Sequence, residues 1–142
     1  MNGTSVRLVL PSEVRLIDLI HSATEKMAGL AGLDADDALN VGLAVREAAI
    51  NAIIHGNGQD PKLEVNVTMT ANADGFEVTI TDEGEGFDPD TTPDPTEAVN
   101  LLQTSGRGLL MIRAFVDDVV FRRRKKRGMA VTITKRKNQA AG

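Results

Sequence analysis

At 142 residues, with 42% hydrophobic and 25% charged side chains, the chain has the size and composition of one globular domain able to bury about two-thirds of its unfolded surface. It contains no cysteine, which excludes disulfides, thiolate metal sites and a cysteine nucleophile, and no apolar run reaches the ~20 residues of a membrane-spanning helix. The formal charge of −4 conceals a polarity: residues 1–121 hold all 20 acidic side chains and 7 basic ones, giving −13, whereas residues 122–142 hold 9 basic side chains and no acidic ones.

The N-terminus lacks the charged and apolar regions of a signal peptide, so a cytoplasmic protein is expected. Val6 to Leu10 alternates as a strand, and Pro11-Ser12-Glu13 offers a helix start with Ser12 as N-cap. That helix runs to about Ala31, punctuated by Gly29 and Gly32. Asp34 is placed to cap the next helix, which stops at Gly56-Asn57-Gly58. Lys62 to Thr70 and Phe76 to Thr81 alternate as strands across an Asn72-to-Gly75 turn, forming a hairpin. Asp90 to Pro95 has no hydrophobic period and reads as a mobile lid; Thr96 to Gln103 and Leu109 to Phe115 read as helices. Asp117 to Arg123 and Met129 to Lys135 form a last hairpin across Arg122-Arg-Arg-Lys-Lys-Arg127. This run is a solvated hairpin tip or a patch for an acidic partner or nucleic acid. Without interleaved aromatic residues it has no platform for stacking bases, and nucleic acid is not the expected ligand. The order β-α-α-β-β-loop-α-β-β predicts a two-layer α/β sandwich in one domain, 1–142 with a core of about 6–135, its mostly antiparallel sheet covered by helices on one face.

Three segments carry groups suited to chemistry. In the second helix Glu47, Asn51 and His55 recur every four residues and stack on one helical face, with Leu39, Leu43, Ile50 and Ile53 or Ile54 on the apolar side. Alone, such a column is a solvent face, but Ala44, Ala48, Ala49 and Ala52 leave the helix short of the lysines and glutamates that water-facing helices carry. An asparagine oxygen is a hard ligand suited to Mg²⁺, and a glutamate one turn away can accept a proton from an attacking hydroxyl. In Asp82-Glu-Gly84-Glu-Gly86, a carboxylate at a strand end can accept from an exocyclic amine while glycines admit a planar base. The same letters also make an ordinary Asp-Gly turn. Ser105-Gly106-Arg107-Gly108 opens a helix, where free N–H groups and the dipole suit phosphate.

In this order the three segments resemble the GHKL ATPase superfamily, which has the Bergerat ATP-binding fold, and within it the anti-sigma-factor serine/threonine kinases of bacterial partner-switching modules. Glu47-x-x-x-Asn51-x-x-x-His55-Gly56 is similar to the N box, Asp82-x-Gly84-x-Gly86 to the first glycine box and Gly106-Arg107-Gly108 to the second. The resemblance spans about Val6 to Lys135, with Asp88 to Pro95 in the place of the ATP lid and Phe115 to Val119 similar to the segment after the second box. It implies ATP and Mg²⁺ as cofactors, Asn51 as the metal ligand, Glu47 as catalytic base and Asp82 as the adenine contact. Gly84 and Gly86 would line the base pocket; Gly106, Arg107 and Gly108 would hold the triphosphate. His55 either meets phosphate or orders the helix end.

The implied function is an anti-sigma factor that phosphorylates a STAS-domain anti-anti-sigma protein and sequesters a sigma factor or similar regulator, as a homodimer. The alternative is a nucleotide-gated binding protein with little kinase activity. A histidine-kinase ATPase domain with His21 as phosphoacceptor is a further reading, weakened because no companion dimerisation helix accompanies His21. One departure stands out: relatives place a threonine after the glycine of the last hairpin, whereas here Met129 follows Gly128, and Thr132 lies three positions on, with its side chain flipped to the other side.

Overall fold

The computed structural model describes residues 3–84 and 108–137. Gly86, Gly106, Arg107, the expected lid and the expected helix at 96–103 lie outside the described residues. Strand β1 (Thr4–Pro11) leads through a single 3-10 turn, Val14–Leu16, into helix α1 (Ile17–Leu30). Helix α2 (Ala35–Ile50) continues without a break into a π-helical turn, Asn51–Gly56. Then follow β2 (Glu64–Asn72), β3 (Gly75–Thr81), α3 (Gly108–Phe115), β4 (Asp118–Arg123) and β5 (Met129–Arg136). The strands form one antiparallel sheet in the order β1-β2-β3-β5-β4.

Alternation in the strands sets the two faces of the sheet. Val65, Val67 and Met69 of β2, Val78 and Ile80 of β3, and Val131 and Ile133 of β5 are buried together with Ile20, Val41, Val45, Ile53 and Ile112 of the helical layer. The opposite face carries hydroxyls: Thr79 and Thr132 are paired at 3.0 Å, as are Ser5 and Thr70. The expected sandwich, with helices on one face, is therefore the observed architecture. The hairpins also form where the turn residues place them, with Asn72 Oδ1 accepting from the N–H groups of Asp74 and Gly75 at 2.9 and 3.0 Å.

Asp34 caps α2 as expected, its Oδ1 accepting from Asp37 N at 2.8 Å, and Asp36 and Asp37 add negative charge at the positive end of the helix dipole. Two local expectations are corrected. Ser12 is not an N-cap: it is 1% exposed, and its hydroxyl donates to Leu63 O at 2.7 Å, tying the end of β1 to the entry of β2. The buried stripe of α2 is Val41, Ala44, Val45, Ala48 and Ala49, whereas Leu39 is 48% exposed. Helix α2 lies between α1, α3 and the sheet, so small side chains are needed where its neighbours approach.

Candidate functional site

The site is built around the end of β3. Asp82 extends the β3–β5 ladder by donating its N–H to Met129 O at 3.0 Å. Its Oδ1 accepts from Gly84 N at 3.1 Å and from Met129 N at 3.2 Å. The side chain is almost fully buried, and this desolvation pushes its pKa up from 3.8 to about 6, against the lowering effect of the two backbone N–H groups and the charge of Arg124. Arg124 stands on the β4–β5 turn, which closes with Arg124 N donating to Gly128 O at 3.1 Å. Its Nη1 donates to the Asp82 carbonyl at 2.7 Å. The basic run is thus a hairpin tip, pinned by one of its arginines to the backbone of the buried aspartate.

Three glycines make the burial possible. A β-carbon at Gly56 would lie 2.5 Å from Asp82 Oδ2; one at Gly84 would overlap the Gly56 carbonyl, and one at Gly128 would overlap the Asp82 carbonyl. Gly128 also has φ +87, a region that side-chain-bearing residues rarely occupy. Met129 therefore contributes through its backbone, at the position where the resemblance leads to the expectation of a threonine. Thr132 does not substitute for that threonine, because it points to the hydroxyl face and pairs with Thr79.

Across from Asp82 stands Asn51. Among the described residues the two are the polar side chains of a small cavity walled otherwise by apolar groups, among them Ala48, Ile80, Ile112 and Met129. Asn51 is 2% exposed, and among the described residues neither its Oδ1 nor its Nδ2 has a hydrogen-bond partner. Leaving buried polar atoms unsatisfied costs about 1–3 kcal/mol, so such a group is a mark of a ligand site rather than of a packed core. Glu47 lies one helical turn earlier and is half-buried.

The expected column is not uniform. The chain passes from α-helical to π-helical geometry at Asn51, and Asn57 N donates to Ala52 O at 2.8 Å, five residues back. Each residue of the wider turn rotates less about the axis, which separates the inward Asn51 from the exposed His55. His55 instead borders an outer groove with Lys62, Leu63 and Arg127. Gly108 is the first residue of α3. His21 is wedged between α1 and α2, with its Nε2 2.7 Å from Glu25 Oε1 and its ring against Gly42. Among the described residues no three His, Asp or Glu side chains cluster as a metal cage.

The profile of the histidine kinase-like ATPase domain matches residues 10–135. The chain belongs to this ATPase-domain family. Its similar relatives include the serine-protein kinase RsbW of Bacillus subtilis (strain 168), 27% identical over 140 residues, with 94% of this chain and 86% of the relative covered. The serine-protein kinase RsbW of Staphylococcus aureus (strain MSSA476) is 26% identical over 137 residues, with coverage of 92% and 85%. A crystal structure of the RsbU and RsbW domains of a Mycobacterium tuberculosis protein shares the fold, with a TM-score of 0.65 at 18% identity; the match covers 94% of this chain and 32% of that longer one. The ATPase-domain fold and the resemblance drawn from the three sequence boxes agree. Within this family member, Asn57 is the residue that motif reading passed over: it ended the helix in the sequence, yet it is buried and fully bonded beside Asp82.

Proposed function

We propose that this family member is an ATP-dependent protein serine/threonine kinase that phosphorylates a STAS-domain anti-anti-sigma protein and sequesters a sigma factor or a similar regulator. The observation that carries the reading is the Asn51 amide, without a partner among the described residues and buried in the same apolar cavity as Asp82. Relatives named serine-protein kinase support phosphoryl transfer as the chemistry.

The donor set fits Mg-ATP. Asn51 Oδ1 is a hard oxygen with no partner among the described residues, suited to Mg²⁺, which takes few protein ligands and fills its shell with water and phosphate oxygens. When bound, the ion neutralises charge on the phosphates. Asp82 accepts from the adenine amino group, and Gly84 and Gly86 let the base approach the backbone. The N–H groups at the start of α3, beginning with Gly108, together with Gly106 and Arg107, hold the triphosphate. Glu47 takes the proton from the acceptor hydroxyl as that oxygen bonds to the γ-phosphorus and the β–γ bridging oxygen leaves with ADP. His55 has no step in this scheme.

The test is incubation of the protein with γ-labelled Mg-ATP and candidate STAS-domain proteins. Label on a serine or threonine of one of them is the expected result. ATP binding without transfer to any acceptor would favour the nucleotide-gated binding protein, and no ATP binding would overturn the reading.

A further inference from the structure

Asn51 and Asn57 are six positions apart and both buried, at 2% and 3% exposure, yet they have opposite character. Among the described residues Asn51 has no partner for either amide atom. Asn57 uses its amide fully: Oδ1 accepts from Glu83 N at 2.8 Å, and Nδ2 donates to Ser12 Oγ at 2.7 Å and to Glu64 O at 3.1 Å. Ser12 passes the chain of bonds on to Leu63 O. The result is a buried clasp joining the end of β1, the entry of β2, the end of the π-helical turn and the loop after β3.

The position of the clasp matters more than its strength. Asn57 follows Gly56 and Glu83 follows Asp82, so the bond between Asn57 Oδ1 and Glu83 N links the residues next to a close approach in the site. One residue inward on each side, Gly56 faces Asp82 Oδ2. Asp82 Oδ1 is already engaged by two backbone N–H groups. Among the described residues no hydrogen bond engages Oδ2, the oxygen that faces Gly56, and its direction depends on how the Gly56 and Asp82 segments are held together.

We propose that Asn57, which does not line the cavity, is a positioning residue for nucleotide selection: its bond to Glu83 N sets the direction of Asp82 Oδ2 toward the amino group of adenine. The inference rests on the ATP reading above. Guanine presents a carbonyl oxygen where adenine presents its amino group, and a fixed carboxylate rejects an acceptor. A carboxylate free to turn away discriminates less.

The experiment compares Mg-ATP and Mg-GTP affinities, by calorimetry on the full chain, for the wild type, Asn57→Ala, Asn57→Asp and Ser12→Ala, with a thermal melt of each. Asn57→Ala removes the acceptor for Glu83 N, and ATP affinity is expected to fall roughly tenfold with little change for GTP, the loss of one well-placed hydrogen bond. Ser12→Ala removes only the far end of the clasp; it lowers Tm and leaves the ATP preference intact. Asn57→Asp keeps an acceptor for Glu83 N, and it also keeps the preference at a lower Tm. A merely structural role predicts instead that preference tracks Tm across the series. An unchanged preference in Asn57→Ala, or an equal loss in Ser12→Ala, overturns the proposal. Should Asn57→Ala not fold, loss of preference in folded Asn57→Asp overturns it. A wild type that binds GTP as well as ATP overturns the ATP reading itself.

Discussion

Gly56 and Asp82 meet so closely that a β-carbon on the glycine would lie 2.5 Å from Asp82 Oδ2. With Oδ1 held by Gly84 N and Met129 N, the missing side chain at position 56 is what gives Oδ2 its room. Gly56→Ala should displace the carboxylate and lower ATP affinity by about tenfold or more, with a stability loss of roughly 1–3 kcal/mol from the steric conflict. Calorimetric titration with ATP and a thermal melt check both. ATP affinity equal to wild type would mean that Oδ2 is not the adenine contact.

Asn51 and Glu47 should separate binding from transfer. Asn51→Ala removes a buried amide whose two polar atoms lack partners among the described residues, so stability should stay within about 1 kcal/mol of wild type. Mg-dependent nucleotide affinity is lost. Glu47→Gln should retain ATP binding while transfer falls by about 10²–10⁴-fold, the range for loss of a general base. Transfer by Glu47→Gln at the wild-type rate would remove Glu47 from the role of base.

The buried Asp82 carboxyl predicts opposite pH trends for stability and binding. With a folded-state pKa of about 6 against 3.8 unexposed to burial, the folded protein holds the extra proton between these values. Stability therefore falls as pH rises from about 4 to about 6 and is level above, by at most roughly 3 kcal/mol from this group. ATP affinity should run the other way, weakening as pH falls through about 6 and the carboxylate is neutralised. Asp82→Asn should be at least as stable as wild type at pH 7, with a flatter stability profile between pH 4 and 6, and should bind ATP weakly. Denaturant melts and titrations across this range measure both. A wild-type affinity constant from pH 7 to pH 5 would count against ionised Asp82 as the acceptor.

Gly128 is where the last hairpin passes beneath Asp82. Its φ of +87 and the overlap of a β-carbon with the Asp82 carbonyl act together in Gly128→Ala, for an expected loss of about 2–4 kcal/mol. Restoring a threonine at position 129 tests a different point. Met129→Thr keeps the backbone bonds to Asp82 and should leave the fold intact in a melt.

Much of the frame was legible because its determinants are local. The alternation of Val65, Val67 and Met69 gives a strand with one buried face. Asp34 caps the helix three residues before the N–H it binds, and the Asn72-to-Gly75 turn is closed by its own first side chain. The wrong local readings have non-local causes. Ser12 has the chemistry of an N-cap, but Leu63 and Asn57 compete for its hydroxyl from 51 and 45 residues away. Leu39 fits the helical apolar period, yet the alanines face the crowded side where α2 meets its neighbours.

By itself the sequence determined the element order and the one-sided sheet, since each rests on periodicity or on contacts a few residues apart, and its three boxes carried the resemblance to the family. Only the tertiary structure decided which polar groups are spent and which remain available. Two buried asparagines look alike in the chain, but Asn57 is bonded to Ser12, Glu64 and Glu83 while Asn51, in the cavity it shares with Asp82, has no partner among the described residues. Hydrogen-bond satisfaction depends on groups brought together from distant strands and turns, and no spacing along the chain records it.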